Sequence, residues 1–304
     1  MKKAFHLAPI IFITYNRPDH LIRSLRSLKK NKLSKKSTII IYSDGAKNSE
    51  DKKKILKIRK FIKHVKGFKS KKIIQRKTNY GTKKNITKAI NESFKKYDKI
   101  IVIEDDLIIS KYFLSFMNYC LNKYKDKKSI WHINGWSYPF MKFSKNDINF
   151  MNSMNCWGWA TWKDRWKHLS LNDDRLINNF TNKKIHKFNI FSSMDHFSQI
   201  LRNKRKTLSS WAVYWHAAIF LKKGICIYPK FSMVENIGFD GSGRMSSQYQ
   251  YKTYLNDNFK KYEFNDKILV DKKLINQEFL YYFQKKRIIR KIVILIKKFL
   301  YTYL

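Results

Sequence analysis

The sequence predicts an α/β fold with a mostly parallel, twisted β-sheet flanked by helices. Two observations lead to this prediction: short apolar runs alternate with amphipathic, lysine-rich segments, and acidic residues directly follow two of the runs. Alternating strands and helices are typical of βαβ units, whose parallel strands are buried on both faces. The chain has 304 residues, 43% of them hydrophobic, which is enough to bury a large core.

The first half supplies four predicted strands. Pro9–Thr14 is an apolar run of strand length, and Thr38–Tyr42 is rich in β-branched residues. Lys72–Gln75 is a short third strand, and Lys99–Ile103 is a fourth that leads directly into Glu104. Apolar positions at helical spacing lie between the strands. They are Leu21, Ile22, Leu25 and Leu28, then Ile55, Ile58, Ile62 and Val65, then Ile86, Ala89, Ile90 and Phe94.

The second half is irregular and rich in tryptophan. Trp211–Leu221 predicts a helix, Ile225–Tyr228 a strand, and Asn236–Gly243 a loop that contains glycines. No linker rich in serine or glycine divides the chain. We therefore expect residues 1–255 to form a single domain, with a different segment at 256–304.

The last twenty residues, Lys285–Leu304, form a C-terminal helical extension in which apolar and basic residues alternate at helical spacing. A basic amphipathic helix can lie in a membrane interface and contact anionic lipids. The alternative is a terminal helix that packs on the domain.

The formal net charge is +43, and the basic residues are spread along the whole chain. This spread favours a lysine-rich composition bias over binding of nucleic acid or of an anionic membrane as its cause, and no nucleic-acid-binding signature is present, so we expect no specific nucleic-acid partner. The charge still attracts polyanions and anionic lipid surfaces. Three widely spaced cysteines form neither a zinc signature nor a disulfide framework. No apolar stretch has the length of a membrane span, and the N-terminus predicts a buried strand better than a signal peptide.

The three carboxylates Glu104, Asp105 and Asp106 directly follow the fourth predicted strand. Neighbouring carboxylates repel each other, and a divalent cation removes that cost. Mg²⁺ and Mn²⁺ take hard oxygen ligands, commonly a few carboxylates together with substrate phosphates and water. The alternative is a solvated acidic turn. Asp44 ends the second predicted strand, where it could accept a hydrogen bond from a nucleotide or form a plain Asp-Gly turn.

Motifs from about Ile10 to Gly243 resemble those of GT-A glycosyltransferases. The similarity includes family 2-like enzymes, the Golgi N-acetylglucosaminyltransferase I family, and bacterial sugar transferases of surface polysaccharides. The motifs that carry it are Ile11–Pro18, Asp44, Asn79-Tyr80-Gly81, Glu104-Asp105-Asp106, Trp157-Gly158-Trp159, Trp211–Trp215, and Ile227-Tyr228-Pro229 running to Asn236–Phe239.

The resemblance implies a GT-A (Rossmann-like) catalytic domain, with a nucleotide-binding half at 1–110, an acceptor-binding half at 111–255 and a basic tail at 256–304. It implies a UDP-sugar donor, a Mn²⁺ or Mg²⁺ ion and a DXD-like motif in which Asp106 is the metal ligand. The nucleotide-sugar would contact Arg17, Asp44, Lys84, Asn85, Glu104 and Asp105. The acceptor and a lid would involve Trp159, Trp211, Gly238, Gly241 and Gly243.

One departure from the pattern concerns the catalytic base. In the Golgi enzymes an acidic residue between the two tryptophans is the base, but residues 212–214 here are Ala, Val and Tyr. An inverting transfer needs a base near the acceptor hydroxyl. Asp195, Glu235 and Asp240 are the candidates, and Asp195 is preferred on sequence grounds.

The expected function is metal-dependent transfer of a sugar, GlcNAc or a related hexose, from a UDP-sugar to a saccharide or lipid-linked glycan. The expected setting is the cytoplasm, peripheral on the inner membrane face, in polysaccharide or lipopolysaccharide synthesis. Two alternatives stay open: a catalytically degenerate GT-A fold that binds a glycan or nucleotide, and a polyanion-binding protein.

Overall fold

The computed structural model describes residues 6–242 and 262–303, together with residues 253 and 255. The strands, in chain order, are β1 Ile10–Thr14, β2 Thr38–Ser43, β3 Ser70–Gln75, β4 Lys99–Glu104, β5 Leu107–Ile109, β6 Ile130–Asn134, β7 Ile148–Met151, β8 Trp159–Trp162, β9 Ile225–Pro229 and β10 Val234–Asn236. The helices are α1 Pro18–Lys29, α2 Ser49–His64, α3 Gly81–Ser93, α4 Phe113–Lys123, α5 Lys163–Trp166, α6 Asp173–Ile177, α7 Asn182–Phe188, α8 His196–Lys204, α9 Ala212–Leu221, α10 Lys272–Phe283 and α11 Ile288–Tyr303.

Eight of the described strands form one sheet in the order β3-β2-β1-β4-β8-β6-β9-β7. β3, β2, β1 and β4 are parallel, β8 is antiparallel to both of its neighbours, β6 and β9 are parallel, and β7 is antiparallel to β9. Strands β5 and β10 pair separately and antiparallel. The predicted fold class, a mostly parallel sheet flanked by helices, is confirmed.

Helices cover both faces of the parallel half. Successive right-handed crossovers from β1 to β2 to β3 put α1 and α2 on one face, and the return crossover to β4 puts α3 on the other. The predicted apolar stripes are buried, as in Leu21 and Leu25 of α1, Ile58 of α2 and Ile90 of α3. Because the chain leaves each parallel strand at the same edge, polar residues after β1, β2 and β4 gather there.

Helix α10 belongs to the folded domain. Leu274 joins the main core, and the buried Glu278 accepts a hydrogen bond from Tyr138 over 2.6 Å. Burial, only partly offset by the hydrogen bond from Tyr138, raises the pKa of Glu278 to about 7. Residues 256–304 therefore include a helix that packs on the core, followed by the basic helix.

Helix α11 exposes most of its apolar side chains, whereas a normal surface helix buries them. Its inward contact is Ile294, which is fully buried and packs with Ile190 and Phe279. Eight apolar side chains on its outer face are between 36% and 79% exposed. They are Ile288, Ile289, Ile292, Val293, Leu295, Ile296, Phe299 and Leu300. At 100° per residue, Arg290 and Lys297 border this face on one side, and Lys291 and Lys298 on the other.

Among the residues that the structure describes, none of the helices has the length and hydropathy of a membrane span.

Candidate functional site

The centre of the candidate site is the acidic triplet at the carboxyl end of β4. Asp105 is buried and accepts hydrogen bonds from the Thr14 hydroxyl at 2.8 Å and from the Tyr15 main-chain N–H at 3.1 Å. Asp105 therefore fixes the loop between β1 and α1. That loop carries Arg17, whose Nη2 lies 3.0 Å from Asp105 and 2.9 Å from Asp106. Burial lowers the pKa of Arg17, but the two carboxylates outweigh it and raise the pKa above its usual value.

Glu104 and Asp106 are neighbouring carboxylates whose negative charges Arg17 compensates only in part. Burial, followed by the charges of Asp106 and Asp105, raises the pKa of Glu104 to about 8 against the opposing effect of Arg17. Burial also raises the pKa of Asp106, against the opposing effect of Arg17. In the described part of the chain, no hydrogen bond reaches the Glu104 carboxylate. An additional positive charge beside these groups would therefore stabilise both.

This pair fits a divalent cation that takes most of its ligands from elsewhere. No cluster of three or more His, Cys, Asp or Glu suited to a metal occurs in residues 6–242 and 262–303. Mg²⁺ and Mn²⁺ sites commonly use one or two carboxylates, with substrate phosphates and water completing the shell. The hard oxygens of Glu104 and Asp106 match that chemistry.

The loop after β10 lies directly on the acidic triplet. The Ile237 N–H donates to the Asp106 carbonyl over 2.8 Å. A Cβ at Gly238 would lie 2.6 Å from Asp106 Oδ2 and 2.9 Å from Arg17 Nη1. Gly238 thus allows the main chain to approach the carboxylate. Gly241 has φ +91° and open space around it, and Gly243 lies outside the described residues.

His20 of α1 connects this loop to the rest of the site. Its Nε2 lies 3.3 Å from the Ile237 carbonyl and 3.1 Å from Asp240 Oδ2. Phe239 packs edge-on against Trp157, with ring centroids 5.5 Å apart. The hydroxyl and N–H of Ser242 lower the pKa of Asp240, and His20 lowers it further. Asp240 is therefore an ionised carboxylate beside His20. Sequence reasoning missed His20, because no local pattern marks it.

Asp44 has a well-defined structural environment. Its Oδ1 accepts from the main-chain N–H groups of Gly45 at 2.8 Å and Tyr80 at 2.9 Å. Its Oδ2 accepts from the Gly81 N–H at 3.0 Å and from Asn79 at 3.4 Å. A buried carboxylate with these donors ties the end of β2 to the start of α3. Contact of Asp44 with a nucleotide stays a prediction.

Lys84 and Asn85 of α3, which are predicted to contact the nucleotide, lie in different surroundings. Lys84 is exposed, with its ammonium 4.7 Å from the centre of the Tyr80 ring. Asn85 is buried and accepts a hydrogen bond from Arg76 at 3.3 Å. Lys83, which the sequence did not single out, donates to the Tyr214 hydroxyl at 2.7 Å. The roles of Lys84 and Asn85 toward a donor stay predictions.

The predicted acceptor tryptophans are packed in the core. Trp159 and Trp211 are 0% and 3% exposed, and their rings stack with centroids 5.4 Å apart. Trp157 is partly buried beside Phe239 and lies nearer the loop. Cys156 precedes it, and burial, followed by Glu104 and Asp106, raises the pKa of its thiol. A protonated Cys156 is consistent with a packing role.

The three candidate bases lie in different places. Asp195 is exposed and lies 3.2 Å from Arg290 of α11, and the described contacts do not link it to the triplet. Glu235 is exposed on β10, opposite Ile108. Asp240 reaches the triplet through His20 and the loop that contacts Asp106. The structure thus links the Asp240 carboxylate to the loop on the triplet through His20, whereas the described contacts show no such link for the carboxylates of Asp195 and Glu235.

Comparisons with known proteins give one family and several distant structures. A family model described as GNT-I family matches residues 1–170. A structure of S. aureus TarS 1-349 is 16% identical, covering 57% of this chain and 54% of that one, with a TM-score of 0.39. A Pyrobaculum calidifontis mannosyltransferase in complex with GDP-Man and Mn²⁺ is 10% identical, covering 56% of this chain and 50% of that one, with a TM-score of 0.38. An active-site mutant of LgtC is 9% identical over 70% of each chain, with a TM-score of 0.38.

The chain spans about half the length of the TarS fragment, and 20% of a longer TarS structure. No curated protein matches the sequence.

Proposed function

The chain belongs to the GNT-I family, and from that premise we propose that it is a GT-A glycosyltransferase that uses a nucleotide-sugar. In finer terms, the proposed reaction transfers GlcNAc or a related hexose from a UDP-sugar to a saccharide or lipid-linked glycan, with inversion and with a Mn²⁺ or Mg²⁺ cofactor. The single observation that carries the proposal is the pair Glu104 and Asp106, two close carboxylates with raised pKa values at the carboxyl end of β4. Ligands bind at this edge in open α/β sheets.

The proposed roles follow from position. Asp106 and Glu104 hold the cation, which when bound would offset the negative charge that develops on the departing diphosphate. Arg17 is already held between Asp105 and Asp106, so it keeps both carboxylates oriented without the cation. Residues 236–242 cover the triplet, and a covering loop of this kind excludes water from a reactive donor.

Asp240 is the proposed base. In the transfer, the acceptor oxygen bonds to the sugar's anomeric carbon as the bond to the diphosphate oxygen breaks, and the acceptor's proton passes to Asp240. Its carboxylate is 48% exposed and ionised, so an acceptor hydroxyl can reach it. His20, 3.1 Å away, orients it. This choice replaces the preference for Asp195, whose contacts are with α11.

Removing the Asp106 carboxylate is expected to abolish metal-dependent donor binding. We would measure thermal shifts with UDP, GDP, CMP and dTDP, each with and without Mn²⁺, on the wild type and on Asp106→Ala. Ligand at a hundredfold excess over Kd stabilises the native state by about 2.7 kcal/mol, which is readily detected. Asp126→Ala removes an exposed carboxylate elsewhere and should behave as wild type.

A metal-dependent shift with one nucleotide, lost in Asp106→Ala alone, would support the proposal and identify the nucleotide. If no nucleotide stabilises the wild type, the proposed donor site is wrong.

A second candidate function is a catalytically degenerate member that binds a glycan or nucleotide. The observation that favours it is that residues 212–214, between the two tryptophans where the Golgi enzymes have an acid, include no acidic residue. Tyr214 is fully buried and its hydroxyl interacts with Lys83 and Asp173. Hydrolysis of the donor by the wild type with Mn²⁺ separates the two, because a degenerate protein would bind the donor without turning it over.

We also propose that α11 attaches the enzyme to the cytoplasmic face of an anionic membrane. The support is the direction of its apolar face, which points away from the protein and is bordered by cations on both sides. Apolar side chains that enter the acyl boundary and cations at headgroup level are typical of interfacial helices. A lipid-linked acceptor would be reached from this surface.

Polar substitutions on the outer face are expected to release the protein from membranes. We would replace Ile289, Ile292, Ile296 and Phe299 with serine and measure co-sedimentation with anionic vesicles. Full burial of each such side chain is worth about 1.5–3 kcal/mol, so partial insertion of four predicts a loss of at least about 100-fold in affinity. Leu56→Ser, which changes a 57% exposed residue of α2, is the matched control. Equal pelleting of both variants would contradict attachment by α11.

A further inference from the structure

A small polar cavity lies between α7 and α11, away from the acidic triplet. Its volume is about 100 Å³, a few times the roughly 30 Å³ that one water occupies in the liquid. Such a volume suits a phosphate-sized group. The polar side chains around it are Asn182, His186, Asn189, Ser192, Arg290, Lys297 and Tyr301.

His186 is the buried polar group in the wall of this cavity. Its side chain is 2% exposed, and its Nδ1 shares a hydrogen bond of 2.9 Å with the Ser192 hydroxyl. Its Nε2 is buried and has no hydrogen-bond partner within the described residues. A buried polar atom without a partner costs about 1–3 kcal/mol, so an acceptor that reached Nε2 would recover that cost.

The charges around the cavity favour an anion. Arg290 and Lys297 line it, and Asp195 is the carboxylate beside them, 3.2 Å from Arg290. Burial, followed by Lys297, Lys298 and Lys187, lowers the pKa of His186 to about 4. The imidazole is therefore neutral and can donate from Nε2 while Ser192 donates to Nδ1. The carboxylate of Asp195 does not balance the charges of Arg290 and Lys297, so the net charge around the cavity is positive.

The position of the cavity relates it to the outer face of α11. Arg290 and Lys297 line the cavity and also border the exposed apolar stripe. If that stripe enters the acyl boundary, the mouth of the cavity lies at the level of lipid phosphates. The same cations would then meet a phosphate as the helix inserts.

We propose that the cavity between α7 and α11 binds a phosphate group, as the phosphomonoester of a membrane lipid or as free phosphate. Arg290 and Lys297 supply the charge, and His186, Asn182 and Asn189 supply neutral hydrogen-bonding groups. The lipid source rests on the proposed membrane attachment of α11, whereas the binding itself depends neither on that attachment nor on sugar transfer.

The test uses the full chain and two double variants that each remove two positive charges from the C-terminal segment. Arg290→Gln with Lys297→Gln changes the cavity, and Lys286→Gln with Lys291→Gln changes charges that do not line it. Inorganic phosphate is titrated by calorimetry at constant ionic strength. We expect the cavity variant to lose at least about tenfold in affinity, and the control to stay within about twofold of wild type.

A second arm identifies the source. Vesicles of phosphatidylcholine carry matched negative charge from either phosphatidic acid, a phosphomonoester, or phosphatidylglycerol, a phosphodiester. A preference for phosphatidic acid that the cavity variant loses and the control keeps supports the lipid source. Loss of phosphate binding without any lipid preference supports the cavity with free phosphate as its ligand. If the two double variants match each other in both arms, the proposal is overturned. Metal-dependent nucleotide binding is measured on the same variants as a separate test of the transferase proposal, so failure of one proposal can be told from failure of the other.

Discussion

Replacing Asp240 with asparagine is expected to lower kcat for sugar transfer by about 10²–10⁴-fold, the usual contribution of a general base. The amide keeps the size of the side chain and can still accept a hydrogen bond from His20, 3.1 Å away. It cannot accept the acceptor's proton at neutral pH. Because Asp240 is not among the residues that hold the donor, KM for the nucleotide-sugar should change by no more than about threefold. Steady-state kinetics with a saturating donor gives both quantities.

The other two candidate bases are matched controls. Asp195→Asn and Glu235→Gln each remove one exposed carboxylate without changing shape, and we expect kcat to stay within about threefold of wild type for both. A large loss in Asp195→Asn with an active Asp240→Asn would restore the preference drawn from the sequence. Equal, small effects in all three would mean that a different group takes the proton.

Replacing Glu278 with glutamine is expected to stabilise the protein at pH 8 by up to about 3 kcal/mol. The pKa of Glu278 rises from 4.5 to about 7 on folding because the carboxyl is buried between α10 and the sheet. The folded state therefore prefers the neutral acid. Glutamine is neutral at every pH and can still accept the hydrogen bond from Tyr138.

The sign of the pH effect follows from the direction of the shift. Between pH 4.5 and about 7 the unfolded chain releases the Glu278 proton while the folded chain retains it, so this group's stabilisation is full below pH 4.5 and is lost as pH rises through 7. Buried histidines such as His132 and His216 have lowered pKa values and act in the opposite direction. The measurement is therefore the difference between wild type and variant in urea unfolding at several pH values.

The exposed Glu263 provides the control for that series. Glu263→Gln should leave the pH profile of stability as it is in the wild type. A Glu278→Gln profile parallel to wild type from pH 4.5 to 8 would show that the Glu278 carboxyl titrates in the folded protein as it does in the unfolded chain.

The parallel half of the fold was predictable because its signals are local. The four predicted strands agree with β1 to β4 to within two residues at each end. Three of them are short apolar runs with a polar residue at the exit, whereas β3 has only Ile73 and Ile74 as apolar residues. The helix at Trp211–Leu221 and the strand at Ile225–Tyr228 were also predicted. The order of β6 to β9 was not, because the inserted antiparallel β8 depends on pairings between distant segments that no local pattern encodes.

The candidate site was likewise predictable only in part. The sequence shows that three acidic residues follow a strand, but it does not show which groups each of the three contacts. Asp105 faces inward to the β1–α1 loop, whereas Asp106 meets Arg17 and the loop at Gly238. The distance in sequence between Asp106 and Gly238 hides that contact. Asp44 was predicted to bind a ligand, and the structure adds that main-chain N–H groups already occupy both of its oxygens.

The outward apolar face of α11 has a consequence for the protein in water. An exposed strip of eight large apolar side chains exceeds the scattered single residues of an ordinary soluble surface, and strips of this kind associate with one another when no lipid is present. Pairs or larger assemblies of the purified protein would then form through the same surface that we propose to attach to a membrane. Mild detergent would disperse such assemblies and leave any association through other surfaces intact.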